Sequence, residues 1–276
     1  MPNSYEFQFS DGRIMPQLGF GLWQVPDAEA SGVVGQALRA GYRMIDSAAG
    51  YGNETGVGEA VRSSELARGD VFVTTKLASP NHGFDEAQRA FDGSLERLGL
   101  DYVDLYLIHW PRPWEDRFVD TWRALRRINE DGRARSIGVS NFTIEHLQRL
   151  IDDTGVVPVL NQIELHPRFQ QKAMRAFHRE HGIVTQSWSP LGRGSLDGNE
   201  TIGRIASKYR KTWAQVVIRW HIDSDLAVIP KSVTPERIRE NIDVFDFTLS
   251  ADDLARIAEL DSREGRIGAH PDQFRP

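Results

Sequence analysis

The segment GYRMIDSAAGYGNETGVGEAV, residues 41–61, holds one complete strand-to-helix unit and indicates the fold of the whole chain. An apolar run ends at Asp46, small residues lead to Tyr51, and a second periodic segment follows. Similar short apolar runs recur along the chain and alternate with segments of helical spacing. The eight runs lie at residues 17–21, 42–46, 71–76, 103–110, 135–141, 159–165, 183–189 and 226–232.

The segments between these runs have the spacing and the start signals of helices. Ala87, Phe91, Leu95 and Leu98, for example, would share one helical face. Helix starts are marked at Asp27, at residues 140–143 and at residues 234–236. Eight strand-then-helix units predict a closed parallel (β/α)₈ TIM barrel, an α/β fold, in one domain that spans residues 1–276.

The first residues predict a β-hairpin that closes the bottom of this barrel. YEFQFSDGRIMP, residues 5–16, places Asp11-Gly12 between two short alternating runs. A doubly wound open sheet is the alternative fold, but it usually carries a G-x-G-x-x-G sequence at its nucleotide site. The glycine pairs of this chain, such as Gly50-Tyr51-Gly52, lack the third glycine.

Composition excludes several classes of protein. The chain has 276 residues, a formal net charge of -6 and no cysteine. The negative charge argues against nucleic-acid and anionic-membrane partners, and the lack of cysteine rules out disulfides and thiolate metal sites. The first residues contain no apolar leader, and no apolar stretch reaches the ~18 residues of a membrane span. We therefore expect a cytoplasmic protein. We also expect a monomer, although nothing in the composition bears on the oligomeric state.

Polar residues stand at the carboxyl ends of three successive predicted strands, where barrel enzymes place their active sites. Asp46 ends the second run with Tyr51 just beyond it, Lys76 ends the third, and His109 lies near the end of the fourth. Taken singly, each has a structural interpretation, as a turn residue, a solvated amine, a core histidine or a packing aromatic. Together they suit the reduction of a carbonyl group, because the alkoxide formed by hydride transfer needs a proton.

The four residues suggest a relay that provides this proton. A tyrosine is a weak acid with an ordinary pKa of ~10, and lowering that pKa by two or three pH units would need about 3–4 kcal/mol. A neighbouring ammonium favours the phenolate, and a carboxylate keeps a buried ammonium charged. We therefore expect Asp46 to hold Lys76 charged, Lys76 to lower the pKa of Tyr51, and Tyr51 to protonate the carbonyl oxygen. His109 would orient and polarise the same oxygen.

The chain resembles the aldo-keto reductases, and most of all the bacterial branch that includes the 2,5-diketo-D-gluconate reductases. Residues 41–61, VDLYLIHWP at 103–111 and IPKSVTPERIRENIDVFDF at 229–247 carry the resemblance, with RSIGVSNF and LNQIELHP in support. It extends from about residue 5 to the end of the chain. The resemblance implies a catalytic tetrad of Asp46, Tyr51, Lys76 and His109, and the reduction of aldehydes and ketones with NADPH.

A nicotinamide is the expected hydride donor, because the sequence shows no flavin signature and no cysteine pair. Lys231, Ser232 and Arg237 place two cations and a hydroxyl beside a predicted helix start, which suits a phosphate and favours NADPH over NADH. The alternative is a solvated basic helix start. The resemblance implies that these residues, with Val233, hold the 2′-phosphate and that Asn241 faces the adenine.

The other end of the cofactor needs amide partners and a flat surface. Ser140, Asn141 and Gln162 can bind a carboxamide, and Trp188 can stack on the ring. The resemblance implies the same contacts, and a pyrophosphate lined by Ser189, Leu191 and Gly192. Arg193 either adds to that pyrophosphate site or is solvated.

Aromatic residues after the first and fourth strands suggest the wall of a carbonyl pocket, although each has a core interpretation as well. They are Phe20, Trp23, Trp110 and Trp114. The C-terminal residues GRIGAHPDQFRP would fold over the mouth.

Two alternatives compete with a reductase. A metal-dependent hydrolase would have to gather Asp46, His109, Glu164 and His166, and we expect no metal site. A catalytically weak NADP-binding sensor or scaffold on the same fold is the second alternative.

Overall fold

A computed structural model describes residues 5–275, in which eight parallel strands form the central sheet. Strand order in the sheet follows the order in the chain, so each strand pairs with the next one. The strands are β3 (Phe20–Gly21), β4 (Met44–Asp46), β5 (Phe72–Leu77), β6 (Val103–Ile108), β7 (Ala134–Ser140), β8 (Leu160–Glu164), β9 (Val184–Trp188) and β10 (Ala227–Val228). Each of the eight predicted runs overlaps one of them, and β5 and β7 each extend one residue beyond the predicted run.

The sheet closes on itself between its first and last strands. Leu18 and Val228 form a parallel bridge. The amide of Gly19 donates to the carbonyl oxygen of Val228 at 2.8 Å, and the amide of Val228 donates to that of Gln17 at 2.8 Å. The predicted barrel is therefore closed by backbone hydrogen bonds, which pair the first strand of the central sheet with the last.

The predicted hairpin is also present. Strands β1 (Glu6–Gln8) and β2 (Ile14–Pro16) pair antiparallel. Met15 is fully buried and belongs to the same apolar cluster as Leu105 and Leu160. Asp11 accepts a hydrogen bond from the hydroxyl of Ser136, near the start of β7, at 2.6 Å. The hairpin thus packs at the amino ends of the strands, opposite the predicted active site.

Helices surround the barrel, and two of them lie between β9 and β10. They are α1 (Asp27–Ala40), α2 (Glu54–Ser63), α3 (Phe84–Leu98), α4 (Phe118–Glu130), α5 (Ile144–Thr154), α6 (Lys172–Glu180), α7 (Glu200–Tyr209), α8 (Trp213–Asp223), α9 (Pro235–Ile242) and α10 (Ala251–Ala258). Within residues 5–275, no helix has the length and apolar character needed to cross a bilayer.

The two-residue period of a strand decides which side chains reach the barrel interior. Along β6, Leu105 and Leu107 join the interior cluster, whereas Tyr106 and Ile108 join the cluster between barrel and helices. The next inward position in this alternation is His109, at the mouth. The same alternation along β4 turns Met44 and Asp46 inward and Ile45 outward.

Candidate active site

A fully buried lysine connects the residues at the ends of β4 and β5. Lys76 is 0% exposed, and its ammonium donates three hydrogen bonds. The acceptors are Asp46 Oδ1 at 2.6 Å, the carbonyl oxygen of Ser47 at 2.8 Å and the hydroxyl of Tyr51 at 3.3 Å. All three donor positions of the ammonium are used, so the side chain is fixed. The predicted contacts from Asp46 through Lys76 to Tyr51 are therefore present.

The electrostatics of this group agree with one part of the predicted relay and correct another. Burial lowers the pKa of Lys76, but Asp46 and Tyr51 outweigh it and hold that pKa above its ordinary value. Lys76 therefore stays charged, as expected. Burial, together with the nearby charge of Asp46, raises the pKa of Tyr51 by more than Lys76 lowers it, so the net pKa of the phenol is raised. The expected net lowering is wrong, because desolvation of the phenolate and its repulsion by Asp46 together exceed the attraction of the ammonium.

His109 lies beside Tyr51, with ring centroids 5.5 Å apart and ring planes at 74°. Burial and the nearby charge of Lys76 lower the pKa of His109 to about 3. The imidazole is therefore neutral at physiological pH and carries one N–H. Among residues 5–275, its ring makes no hydrogen bond, so this N–H is available to a ligand oxygen.

Two glutamines extend the group into the barrel, and one of them was not predicted from the sequence. Gln162 Nε2 donates to Asp46 Oδ2 at 2.8 Å and to Gln186 Oε1 at 2.7 Å. Both hydrogens of the Gln162 amide are thereby used, and its oxygen remains as an acceptor. Gln186 occupies an inward position of β9, two residues before Trp188, and that polar residue in a buried strand was the available signal.

The other predicted amide partners form a second connected set. Ser140 donates to the carbonyl oxygen of Gln162 at 2.9 Å, and Asn141 Nδ2 donates to Ser140 Oγ at 3.0 Å. Trp188 Nε1 donates to Asn141 Oδ1 at 2.8 Å. Asn141 also holds a backbone φ of 63°, a strained value that is often found at functional sites. These bonds fix the indole of Trp188 beside the amide group.

A cavity of about 420 Å³ at the barrel mouth brings most of the predicted residues together. Predicted residues that line it are Trp23, Asp46, Tyr51, His109, Trp110, Ser140, Asn141, Gln162, Trp188, Ser189 and Lys231, and Lys76 lies directly behind Tyr51. The remaining predicted cofactor residues, which are Leu191, Gly192, Ser232, Val233, Arg237 and Asn241, lie outside this cavity.

The predicted phosphate residues lie around the start of α9. Thr234 is the N-cap residue of this helix but makes no side-chain capping bond. Within residues 5–275, Lys231 and Arg237 make no salt bridge, whereas Arg239 on the same helix pairs with Glu236 at 3.3 Å. Exposed cations beside uncapped helix amides form an arrangement that suits an anion.

Arg193 belongs to the loop after β9, and its side chain reaches across the mouth of the barrel. Its guanidinium is 4.8 Å from the ring centroid of Trp23, which follows β3, and both residues line the cavity. The backbone φ of Arg193 is 51°, in the left-handed region. The exposed arginine thus bridges two loops of the rim, and its contact with a pyrophosphate stays a prediction.

Two of the four predicted pocket aromatics lie elsewhere. Phe20 is 1% exposed and packs on Tyr42 at 5.3 Å, between the barrel and the helices. Its prediction as a wall residue is wrong, because alternation along β3 turns it outward. The ring of Trp114 lies 5.9 Å from the guanidinium of Arg112 and 4.2 Å from that of Arg275, outside the cavity lining. The C-terminal residues do reach the mouth, where Phe274 lines the cavity.

The residues weighed for a metal site are arranged differently. Glu164 and His166 are bonded to each other at 3.2 Å, and Glu164 accepts from the backbone amides of Ile267 and Gly268. In the described residues, no three His, Cys, Asp or Glu side chains are grouped so that they could hold a metal ion.

Comparison with known proteins agrees with this geometry. The model of the aldo/keto reductase family matches residues 17–262. The chain belongs to the aldo/keto reductase family. It is 50% identical over 277 residues to methylglyoxal reductase DkgA of Escherichia coli, covering 99% of each chain. The corresponding Yersinia pestis protein is 53% identical over 267 residues, covering 96% of this chain and 95% of its own.

Solved structures give the same result for the fold. This aldo/keto reductase superposes on a Gox0644 mutant in complex with NADPH with a TM-score of 0.95, 49% identity and 98% coverage of both chains. An aldo/keto reductase from Brucella melitensis gives a TM-score of 0.92 at 53% identity, covering 95% of this chain and 100% of its own. The predicted family, the predicted barrel and the predicted class, an oxidoreductase that acts on carbonyl groups, are confirmed.

Proposed function

We propose that this chain reduces small aldehydes and ketones to alcohols with NADPH, and that Tyr51 is the acid that protonates the carbonyl oxygen. One observation carries the proposal: the buried ammonium of Lys76 contacts both Asp46 and the hydroxyl of Tyr51, which borders the cavity. Relatives named methylglyoxal reductase support α-dicarbonyls as the first substrates to test.

The residues present fit NADPH. Lys231 and Arg237 offer positive charge without a counterion in the described chain, and arginine suits the 2′-phosphate that distinguishes NADPH from NADH. At the other end of the site, Gln162 has only its side-chain oxygen left, which can accept from the NH₂ of a carboxamide. Trp188 supplies a flat apolar surface. When bound, NADPH supplies the hydride that adds to the carbonyl carbon.

Proton transfer is the work of the chain itself. Because burial raises the pKa of Tyr51, the phenol is protonated at neutral pH, and only the protonated form can donate. Lys76 then stabilises the phenolate that remains. Lys76 thus stabilises the negative charge that develops on Tyr51 as the proton leaves. Stabilising a charge that develops in the transition state accelerates the step. The neutral His109 donates its N–H to the same carbonyl oxygen and orients it.

Oxidation of NADPH, followed by absorbance with methylglyoxal, glyceraldehyde and a keto-sugar, tests the proposal. We expect turnover with each carbonyl and a higher kcat/KM with NADPH than with NADH. The alternative of a catalytically weak sensor or scaffold predicts tight NADPH binding without turnover on any carbonyl. That outcome would contradict the proposed activity.

A further inference from the structure

The chain after α10 ends in a C-terminal arm, residues 263–275, that forms part of the cavity wall. Gly268, Ala269 and Phe274 line the cavity together with Trp110 and Trp188. The ring of Phe274 stacks on that of Trp110 at 4.0 Å, with 15° between the ring planes. The position of the arm therefore limits the space beside Tyr51 and His109.

One buried carboxylate holds the arm in this position. Glu164, the last residue of β8, is 1% exposed. Its Oε1 accepts from the amide of Ile267 at 2.6 Å and its Oε2 accepts from the amide of Gly268 at 2.8 Å. His166 Nε2 lies 3.2 Å from Oε1. Both oxygens are thus occupied, and two of their partners belong to the arm.

The carboxylate is charged when it makes these bonds. Burial alone would raise the pKa of Glu164, but the bonds from His166 and from the two arm amides outweigh it and leave the pKa below its ordinary value. Hydrogen bonds to a charged acceptor are about twice as strong as neutral ones. Backbone amides are the donors, so the hold depends on the path of the arm and not on its side chains.

Gly268 shows how closely the arm approaches the site. A Cβ on this residue would lie 2.4 Å from Trp188 Cη2 and 2.7 Å from Glu164 Oε2. Only glycine lets the backbone contact both groups. The arm therefore touches the indole that borders the proposed nicotinamide site and, through Phe274, the indole of Trp110.

We infer that Glu164 is a positioning residue for carbonyl specificity: it fixes the arm so that Gly268, Ala269 and Phe274 restrict the pocket to small carbonyls. This inference rests on the proposed function for its substrate and on the geometry alone for the arm. Glu164 contacts no reacting atom in this scheme, and its effect on the reaction passes through the arm.

Two variants release the arm by different routes. In Glu164→Gln, an NH₂ replaces one acceptor oxygen, so at most one of the two amide bonds survives. In Gly268→Ala, the carboxylate is kept and the added Cβ displaces the arm from Trp188 and Glu164. Glu180→Gln is the matched control, since Glu180 is exposed on α6.

The expected result is a change of specificity without a change in cofactor affinity. The ratio of kcat/KM for methylglyoxal to that for benzaldehyde should fall about tenfold in both variants, mainly through KM for methylglyoxal, because a released arm no longer confines the smaller carbonyl. NADPH affinity, measured by fluorescence titration, should change by less than about twofold. Trypsin should cleave after Arg263 and Arg266 faster in both variants than in wild type or Glu180→Gln.

Unchanged ratios in both variants would overturn the inference, and lower thermal stability alone would identify Glu164 as a structural contact only. Equal trypsin cleavage in all four proteins would overturn the hold of Glu164 on the arm. If the wild type reduces no carbonyl, the proposed function fails, and faster cleavage of the variants still supports the hold.

Discussion

The Nζ of Lys76 lies 2.6 Å from Oδ1 of Asp46, and both side chains are buried in the barrel interior. A buried ion pair contributes little net stability, because the desolvation of two charges offsets their attraction. Its value here is positional, since the fixed ammonium also contacts Tyr51. This buried ion pair is thus placed where the proposed chemistry needs it.

Asp46→Asn should harm both stability and activity. The variant leaves the charge of Lys76 buried without a counterion, and breaking a buried pair in this way costs about 3–5 kcal/mol of unfolding free energy. Urea unfolding measures that cost, with Glu200→Gln on the exposed Arg204–Glu200 pair as the control, for which we expect less than ~1 kcal/mol. Equal losses in the two variants would contradict the importance of the buried pair.

The pH dependence of the reaction follows from three pKa values. His109, with its pKa lowered to about 3, is neutral throughout the range in which an ordinary histidine titrates. Because the pKa values of Tyr51 and Lys76 are raised, both groups keep their protons to a higher pH than free side chains do. We therefore expect a flat profile of kcat/KM from about pH 5 to 9, with a fall only at higher pH.

An acidic limb near the ordinary pKa of histidine would contradict this assignment. His109→Gln serves as the control, because glutamine can still donate to a carbonyl oxygen but cannot titrate. Its profile should be lower than that of the wild type and equally flat.

Arg237→Ala should weaken NADPH about 10-to-100-fold and NADH hardly at all, because a charged hydrogen bond to the 2′-phosphate contributes about 1.5–3 kcal/mol. Arg239→Ala removes a cation from the same helix that already pairs with Glu236, and it should have little effect on either cofactor. Fluorescence titration of both cofactors measures the difference. Equal loss of NADPH and NADH in Arg237→Ala would remove this residue from phosphate recognition.

Arg193→Ala should weaken both cofactors by the same factor, in contrast to Arg237→Ala. The guanidinium stacks on Trp23 at the rim, and a pyrophosphate contact there would be common to NADPH and NADH. Lys231 and Arg237 are intact in this variant, so the preference for NADPH over NADH should stay at its wild-type value. If both affinities stay at the wild-type value, Arg193 acts only through its contact with Trp23.

Much of the fold was predictable, since the spacing of apolar residues and the order of strand and helix segments can be read directly from the sequence. Eight apolar runs separated by helical segments predicted a closed barrel, and their ends predicted that Asp46, Lys76 and His109 would meet. Two predictions remain untested: that residues 1–276 form a single domain, and that the protein is a monomer. The structure adds the bridge between Leu18 and Val228 that closes the sheet.

The missed features depend on packing that no local pattern reveals. Phe20 was assigned to the pocket from its position in the chain, but a one-residue step along β3 turns it to the other face of the strand. Gln186 is missed from the sequence because its contact with Gln162 depends on the register of β9 against β8, which neither strand reveals by itself. The raised pKa of Tyr51 reflects burial, whose extent the sequence did not reveal.

Turnover by Tyr51→Phe tests the central claim most directly. The variant keeps the ring beside His109 but removes the only proton that this side chain can donate, so kcat for methylglyoxal should fall about 10²-to-10⁴-fold. NADPH affinity by fluorescence titration should stay within about twofold of wild type, which separates loss of the acid from loss of the cofactor site. Wild-type kcat in Tyr51→Phe would show that the proton comes from another group and would contradict the account.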